Sequence, residues 1–164
     1  VMAEATAIGP EARITPWCPG IWNDEQQEAW ALVAEQVRVR GALPGIQLAH
    51  AGRRGSTWRP WDARYGGSIP EEEGGWETVG PSALAQSELA VPAELTAAGI
   101  EDVVEAFRDA ATRAVAAGFG LIEVHAAHGY LLHEFLSPLA NRRADEWGGP
   151  LENRARLLLS LIHI

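Results

Sequence analysis

Residues 123–138 read EVHAAHGYLLHEFLSP, and three of the chain's five histidines and one of its two tyrosines fall between positions 125 and 133. Three chemistries could write such a line. His125, His128 and His133 have H-x2-H and H-x4-H spacings, and with Glu134 they could ligate a metal, although zinc needs a third or fourth ligand in good geometry and the spacing alone is weak. Two imidazole N–H groups at His125 and His128, aimed at one point, would polarise a carbonyl or nitro oxygen. Tyr130 holds its proton at neutral pH and can donate it. The third reading is a packed turn, with His133 on a helix surface and His50 bonded to turn backbone. Three hydrogen-bonding side chains in six positions at a strand end would need several partners if buried, which favours the oxygen clamp with a proton donor. That set suits reduction of an activated double bond. The hydride must then come from a cofactor, because no side chain supplies one.

The elements that would carry these residues follow from periodicity. VMAEATAI is a short apolar run ending at Gly9-Pro10, which predicts a buried strand. Asn23 and Gln26 have capping-box spacing, so a helix begins there. Its Ala29, Leu32, Val33, Gln36 and Val37 recur at helical spacing, and Gly41 ends it. PGIQLAH (44–50) and FGLIEVH (119–125) are the next strand candidates. Between them a helix over about 100–117 carries one stripe of Val103, Val104, Phe107, Ala110, Ala111, Ala114 and Val115, closed by Gly118. Strand, helix, strand, helix, strand is an α/β alternation with parallel strands. Sites in such folds gather at the carboxyl ends of strands. Glu4 with Ala5, Gln47 with His50, and His125 with His128 all lie there. Glu123 shares a strand face with His125 and, if buried, needs a partner. A loop over about 51–86 interrupts the alternation. It holds three Trp and the acidic run 71–73, read as a solvated face, and a loop that long is functional or itself partly ordered.

Bulk properties narrow the partners. The formal charge of −9 opposes a nucleic-acid footprint and attraction to an anionic membrane. No apolar run reaches the ~20 residues that span a bilayer. The single cysteine, Cys18, cannot form an internal disulfide, so a reducing cytoplasm is the simplest compartment. Val1 opens on a strand already under way, and RARLLLSLIHI stops inside a helical pattern, as expected of an internal piece of something longer.

AEATAIGPEARIT, GIWNDEQQEAW, GIQLAHAGRRGS, VGPSAL and AAGFGLIEVHAAHGYLLHEFLSPLANRRADEWGGPLENRARLLL together resemble the Old Yellow Enzyme family, in its bacterial xenobiotic-reductase and thermophilic-type branch. The resemblance implies an incomplete (β/α)8 TIM barrel over residues 1–164, holding about strands 2 to 4 with their helices. It implies FMN as cofactor, NADPH or NADH as reductant, and an α,β-unsaturated carbonyl or nitro compound as substrate. A homo-oligomeric parent is compatible with it. By the same resemblance Ala5 packs near the flavin and Gln47 bonds its pyrimidine edge. His125 and His128 hold the substrate oxygen, Tyr130 donates the proton, and no metal is used. Asn141, Arg142, Asp145, Gly148, Gly149, Asn153 and Arg154 match an architectural signature. The family's phosphate-binding loops have no counterpart in these residues, so the 164 residues alone are expected to be inactive. The readings that compete are a binding or structural fragment and, further behind, a metal-dependent barrel hydrolase.

Overall fold

Alternating apolar positions at 2–7, 45–49 and 121–124 build one parallel sheet in a computed structural model that describes residues 1–163. Its strands are β1 (Met2–Ala7), β2 (Gly45–Ala49) and, after a short pair introduced below, β5 (Leu121–Val124), in the order β1-β2-β5. Ala5 is in register with Gln47, and Gln47 with Glu123, after an irregularity between Ala3 and Ala5. Ile46 and Leu48 point to the opposite face and are fully buried. Helix α1 (Asp24–Arg38) and helix α2 (Ala97–Ala116) follow β1 and precede β5. Ile46 and Leu48 share one core with Ile100, Val103, Phe107, Ala110 and Ala114 of α2. Burying such side chains contributes about 1.5–3 kcal/mol each for the larger ones.

Helix α2 starts earlier than its stripe suggests, because Thr96 caps it by accepting from Gly99 N at 3.0 Å. At its other end Gly118 takes φ +91°. Phe119 N then bonds Ala114 O at 3.1 Å, the 6→1 bond of a Schellman ending. Val104 and Ala111 are partly buried, whereas Val115 is exposed.

Helix α1 corrects the sequence reading. Its cap is as expected, with Asn23 accepting from Gln26 N at 2.9 Å, while Gln26 reaches back to Trp22 N at 2.7 Å. The stripe is not. Leu32 is 73 % exposed and Val33 47 %, and the buried line runs through Trp30, Ala31 and Ala34. Trp30 decides the rotation. Its indole donates to Gly20 O at 3.0 Å and meets Phe119 edge to face with centroids 5.7 Å apart. One indole buries more area than Leu, and here its N–H is satisfied.

The excursion from residue 51 is ordered and runs on to residue 94. It has 3-10 turns at Gly52–Arg54 and Glu71–Glu73, and a short parallel pair formed by β3 (Val79–Gly80) and β4 (Ala93–Glu94). Trp76 donates its indole N–H to Glu11 O at 2.9 Å, and Arg13 lies 4.8 Å over the Trp76 ring, which ties the excursion to the loop after β1.

Beyond β5 come α3 (Leu131–Leu136), α4 (Leu151–Arg154) and α5 (Arg156–Leu161). Buried Asn141 donates to Phe135 O at 2.9 Å and Trp147 O at 2.8 Å and accepts from Arg143 N at 3.1 Å. Arg143, rather than the exposed Arg142, is the hub. It pairs with Asp145 and donates to Pro81 O at 3.1 Å and Leu95 O at 2.6 Å. These bonds support the architectural reading of the segment. Asn141→Ala takes the side-chain donor from one buried and one partly buried carbonyl and should cost about 1–3 kcal/mol. Urea unfolding of variant and parent measures this, and an unchanged midpoint would refute the role.

Candidate active site

The ladder between β2 and β5 ends where His125 N bonds Leu48 O at 2.9 Å. A tight turn follows at once. Tyr130 N bonds Ala127 O at 3.2 Å, and the two residues between, His128 and Gly129, both have positive φ, +58° and +75°. That is the pattern of a type I′ turn. It folds His128 back onto His125. The rings stand edge to face with centroids 5.1 Å apart, and His125 Nε2 lies 3.3 Å from His128 Nδ1. Tyr130 also stands edge to face with His125, with centroids 5.0 Å apart. The turn is fixed from outside by Arg54, which donates to His128 O. Gly129 N is held by His133 Nδ1 at 2.8 Å.

Protons can be assigned from these bonds. His125 Nδ1 accepts from Ala127 N at 3.2 Å, so its proton sits on Nε2 and is given to His128 Nδ1. His128 then carries its own proton on Nε2, directed away from the pair. Burial pushes the His125 pKa down, and the neighbouring His128 adds to this against the opposing pull of Glu123. The ring is therefore neutral at pH 7. Burial raises the Tyr130 pKa, against a smaller lowering by Arg54, whose guanidinium lies 5.5 Å from the ring centroid. The phenol keeps its proton and lines a cavity of about 710 Å³ with Arg54, Trp17, Trp58 and Glu4.

Ala5, Gln47 and Glu123 form a row across the sheet on the face that carries His125. Two residues along β5 separate the row from His125, a span of about 7 Å. Gln47 Nε2 donates to Glu123 Oε1. The exposed Glu123 therefore has the partner that the sequence did not name. His133 is exposed on α3, and buried His50 accepts from Gly52 N at 3.0 Å, so both follow the backbone-bonded reading. Burial lowers the His50 pKa to about 4. Among the described residues no group of three His, Cys, Asp or Glu converges as a metal site. No helix there is long and apolar enough to cross a membrane. Sequence reasoning missed Arg54, whose only signal was a basic residue just past a strand end.

The family model described as NADH:flavin oxidoreductase / NADH oxidase matches residues 1–163. The chain belongs to this family. It is 47 % identical over 163 residues to an NADPH dehydrogenase of Bacillus subtilis, covering 99 % of this chain and 43 % of that protein. It is 45 % identical to an NADH:flavin oxidoreductase of Gibberella zeae, covering 40 % of it. Morphinone reductase superposes with a TM-score of 0.85 at 36 % identity, over 99 % of this chain and 44 % of that one. An Old Yellow Enzyme homologue from Zymomonas mobilis gives 0.83 at 34 % identity, with 44 % of it covered. The chain thus spans less than half the length of the relatives it matches. Its α/β fold is a section of the family's (β/α)8 barrel, and it is a member of the Old Yellow Enzyme family.

One buried acid in this Old Yellow Enzyme family member lies just below the turn. Glu134 is 1 % exposed, accepts from Arg53 N at 3.1 Å, and has its other oxygen buried without a partner among the described residues. Burial raises its pKa to about 8, against the pull of Arg53 and Arg54. The folded state therefore holds a proton that the unfolded carboxyl, with pKa 4.5, has lost. Stability should fall as pH rises between these values, by up to about 1.4 kcal/mol per pH unit, and level off above them. His50 acts oppositely, since its depressed pKa makes stability fall as pH drops below 6.5. Urea midpoints from pH 7 to 8.5 isolate Glu134. The slope should be negative in the parent and absent in Glu134→Gln, and equal slopes would overturn the assignment.

Proposed function

We propose that this chain is the oxygen-binding and proton-donating section of an FMN-dependent NAD(P)H oxidoreductase that reduces activated C=C bonds of α,β-unsaturated carbonyl or nitro compounds. The observation that carries the reading is the His125–His128 pair, 3.3 Å apart at the ring nitrogens, with Tyr130 against it at the wall of a cavity. A carbonyl or nitro oxygen entering between the imidazoles replaces their mutual bond. It accepts from His125 Nε2, and from His128 Nδ1 once His128 adopts its other tautomer. These donors favour the negative charge that develops on that oxygen in the transition state. Tyr130, protonated at neutral pH, gives its phenolic proton to the substrate carbon that needs one.

The donor set also fits a flavin. Glu123 takes one N–H of Gln47, which leaves the second N–H and the amide oxygen for the mixed donor and acceptor edge of a pyrimidine ring. Ala5 beside it presents only a methyl group, over which a flat ring can lie. Gln47 and Ala5 would hold FMN there, and bound FMN supplies the hydride that it has received from NADPH or NADH. The lone thiol of Cys18 is compatible with a reducing cytoplasm. We place residues 1–164 as one incomplete barrel domain with an excursion that begins at about 51 and ends at 94 rather than 86.

In the FMN-loaded full-length protein, Tyr130→Phe should slow reduction of 2-cyclohexenone by about 10²-fold, the lower range for losing a general acid. Flavin reduction by NADPH should stay intact. Stopped-flow spectroscopy separates the half-reactions, and equal losses in both would count against Tyr130 as the donor. Residues 1–164 alone should bind FMN weakly, since barrels of this kind hold phosphate in loops after strands seven and eight. Isothermal titration checks this, and micromolar binding with turnover would show that the missing elements are dispensable.

A further inference from the structure

One wall of the Tyr130 cavity is built by the excursion together with Trp17 of the loop after β1, and its composition is unusual. Trp17, Trp58, Trp61 and Tyr65 line it together with Arg59. Trp61 is 77 % exposed, and Trp17 and Tyr65 are more than half exposed, so large aromatic faces stand open. Trp17 and Trp58 are tilted by 35° with centroids 6.5 Å apart. Arg59 lies 4.0 Å over Trp17 and 5.6 Å from the Trp61 ring centroid.

The nearby acids are already engaged. Asp62 pairs with Arg64 at 3.1 Å, and Arg64 also binds Glu73 at 2.8 Å while stacking on Trp58. Among the described residues no carboxylate lies within salt-bridge distance of Arg59, and its Nε is buried with no hydrogen-bond partner. The other charged groups on the cavity are Arg54, which is held by His128 O, and Glu4. A guanidinium stacked between rings keeps its two terminal Nη groups free, and that edge matches a carboxylate in two-pronged geometry.

We propose that Arg59, stacked between Trp17 and Trp61, binds an anionic group on a flat aromatic substrate whose activated double bond lies at Tyr130, so that aryl enones bearing a carboxylate are preferred. This rests on the reading of Tyr130 and the histidine pair as the reacting end. An aryl ring lies against the open faces of Trp61 and Tyr65, and its carboxylate meets the unpaired cation. A charge-assisted contact of this kind stabilises by about 1.5–3 kcal/mol, which corresponds to a roughly 10- to 100-fold preference.

The test uses the FMN-loaded full-length protein and two saturated, unreactive probes, 4-(3-oxobutyl)benzoate and its methyl ester. Quenching of tryptophan fluorescence gives both dissociation constants. The acid should bind at least about tenfold more tightly than the ester. Arg59→Gln should abolish that ratio, and Arg59→Lys, which keeps the charge but loses the planar fork, should reduce it. Equal binding of acid and ester by the parent overturns the proposal. So does an unchanged ratio in Arg59→Gln, including the case where that variant instead loses its preference between NADPH and NADH, because the cation would then serve the nucleotide phosphate. Turnover of 2-cyclohexenone is measured alongside. If the parent prefers the acid yet fails to reduce cyclohexenone, the anion site stands and the reductase reading falls.

Discussion

The site depends on one backbone conformation. His128 occupies the left-handed region, which costs a side-chain-bearing residue about 1–2 kcal/mol. Any extended path after β5 would carry the His128 ring away from His125. The cost is offset locally by the bond from Tyr130 N to Ala127 O, by the His133 bond to Gly129 N, and by the Arg54 contact to His128 O. It is offset more widely by α3, which begins at the next residue and buries Leu131, Leu132 and Phe135 completely. Helix, turn and strand end therefore hold one another. His133, which first looks like a metal ligand, is part of the scaffold that places the other two histidines.

The sheet divides labour between its faces in the same economical way. Ile46 and Leu48 are spent on packing against the helices, which frees Gly45, Gln47 and the in-register Glu123 for the other face. A side chain at position 45 would press on the end of the Met2 side chain and touch Leu121, so Gly45 keeps that face flat across three strands. Gln47 is then fixed by Glu123 rather than by ordered backbone. An amide held at one end presents its remaining donor and acceptor in a defined direction, which a free surface glutamine would not do.

Much of this was legible in the sequence, and the exceptions share a cause. The three strands and α2 follow from periodicity and from glycine placement, which are local signals. The face of α1 did not follow, because Leu32 and Val33 repeat at helical spacing as well as Trp30 and Ala34 do. Only the contact with Phe119 and Gly20, distant in sequence, chooses between them. Arg143 was passed over for its neighbour Arg142 because nothing local distinguishes two adjacent arginines. What does is the pair of carbonyls at Pro81 and Leu95, which only the folded excursion supplies. The bond between His125 and His128 depends on a positive φ at a non-glycine residue, which sequence patterns rarely signal.

The strand ends and the excursion contribute separable things to the cavity. Tyr130 and the histidine pair hang on β5 and α3, whose geometry is set by the core. Most of the aromatic wall hangs on residues 57–65, which pack on Trp17 of the loop after β1 and reach that loop through bonds such as Thr57 N to Ile14 O at 3.0 Å. Substitutions in the wall can thus change what enters the cavity while the turn at His128 stays in place, since no bond of that turn runs through residues 57–65. Arg54 is the point where the two parts meet. It leaves β2, lines the same cavity as Trp58, and ends on the carbonyl of His128. Side chains carried by a loop can vary without disturbing a turn that is held by the core.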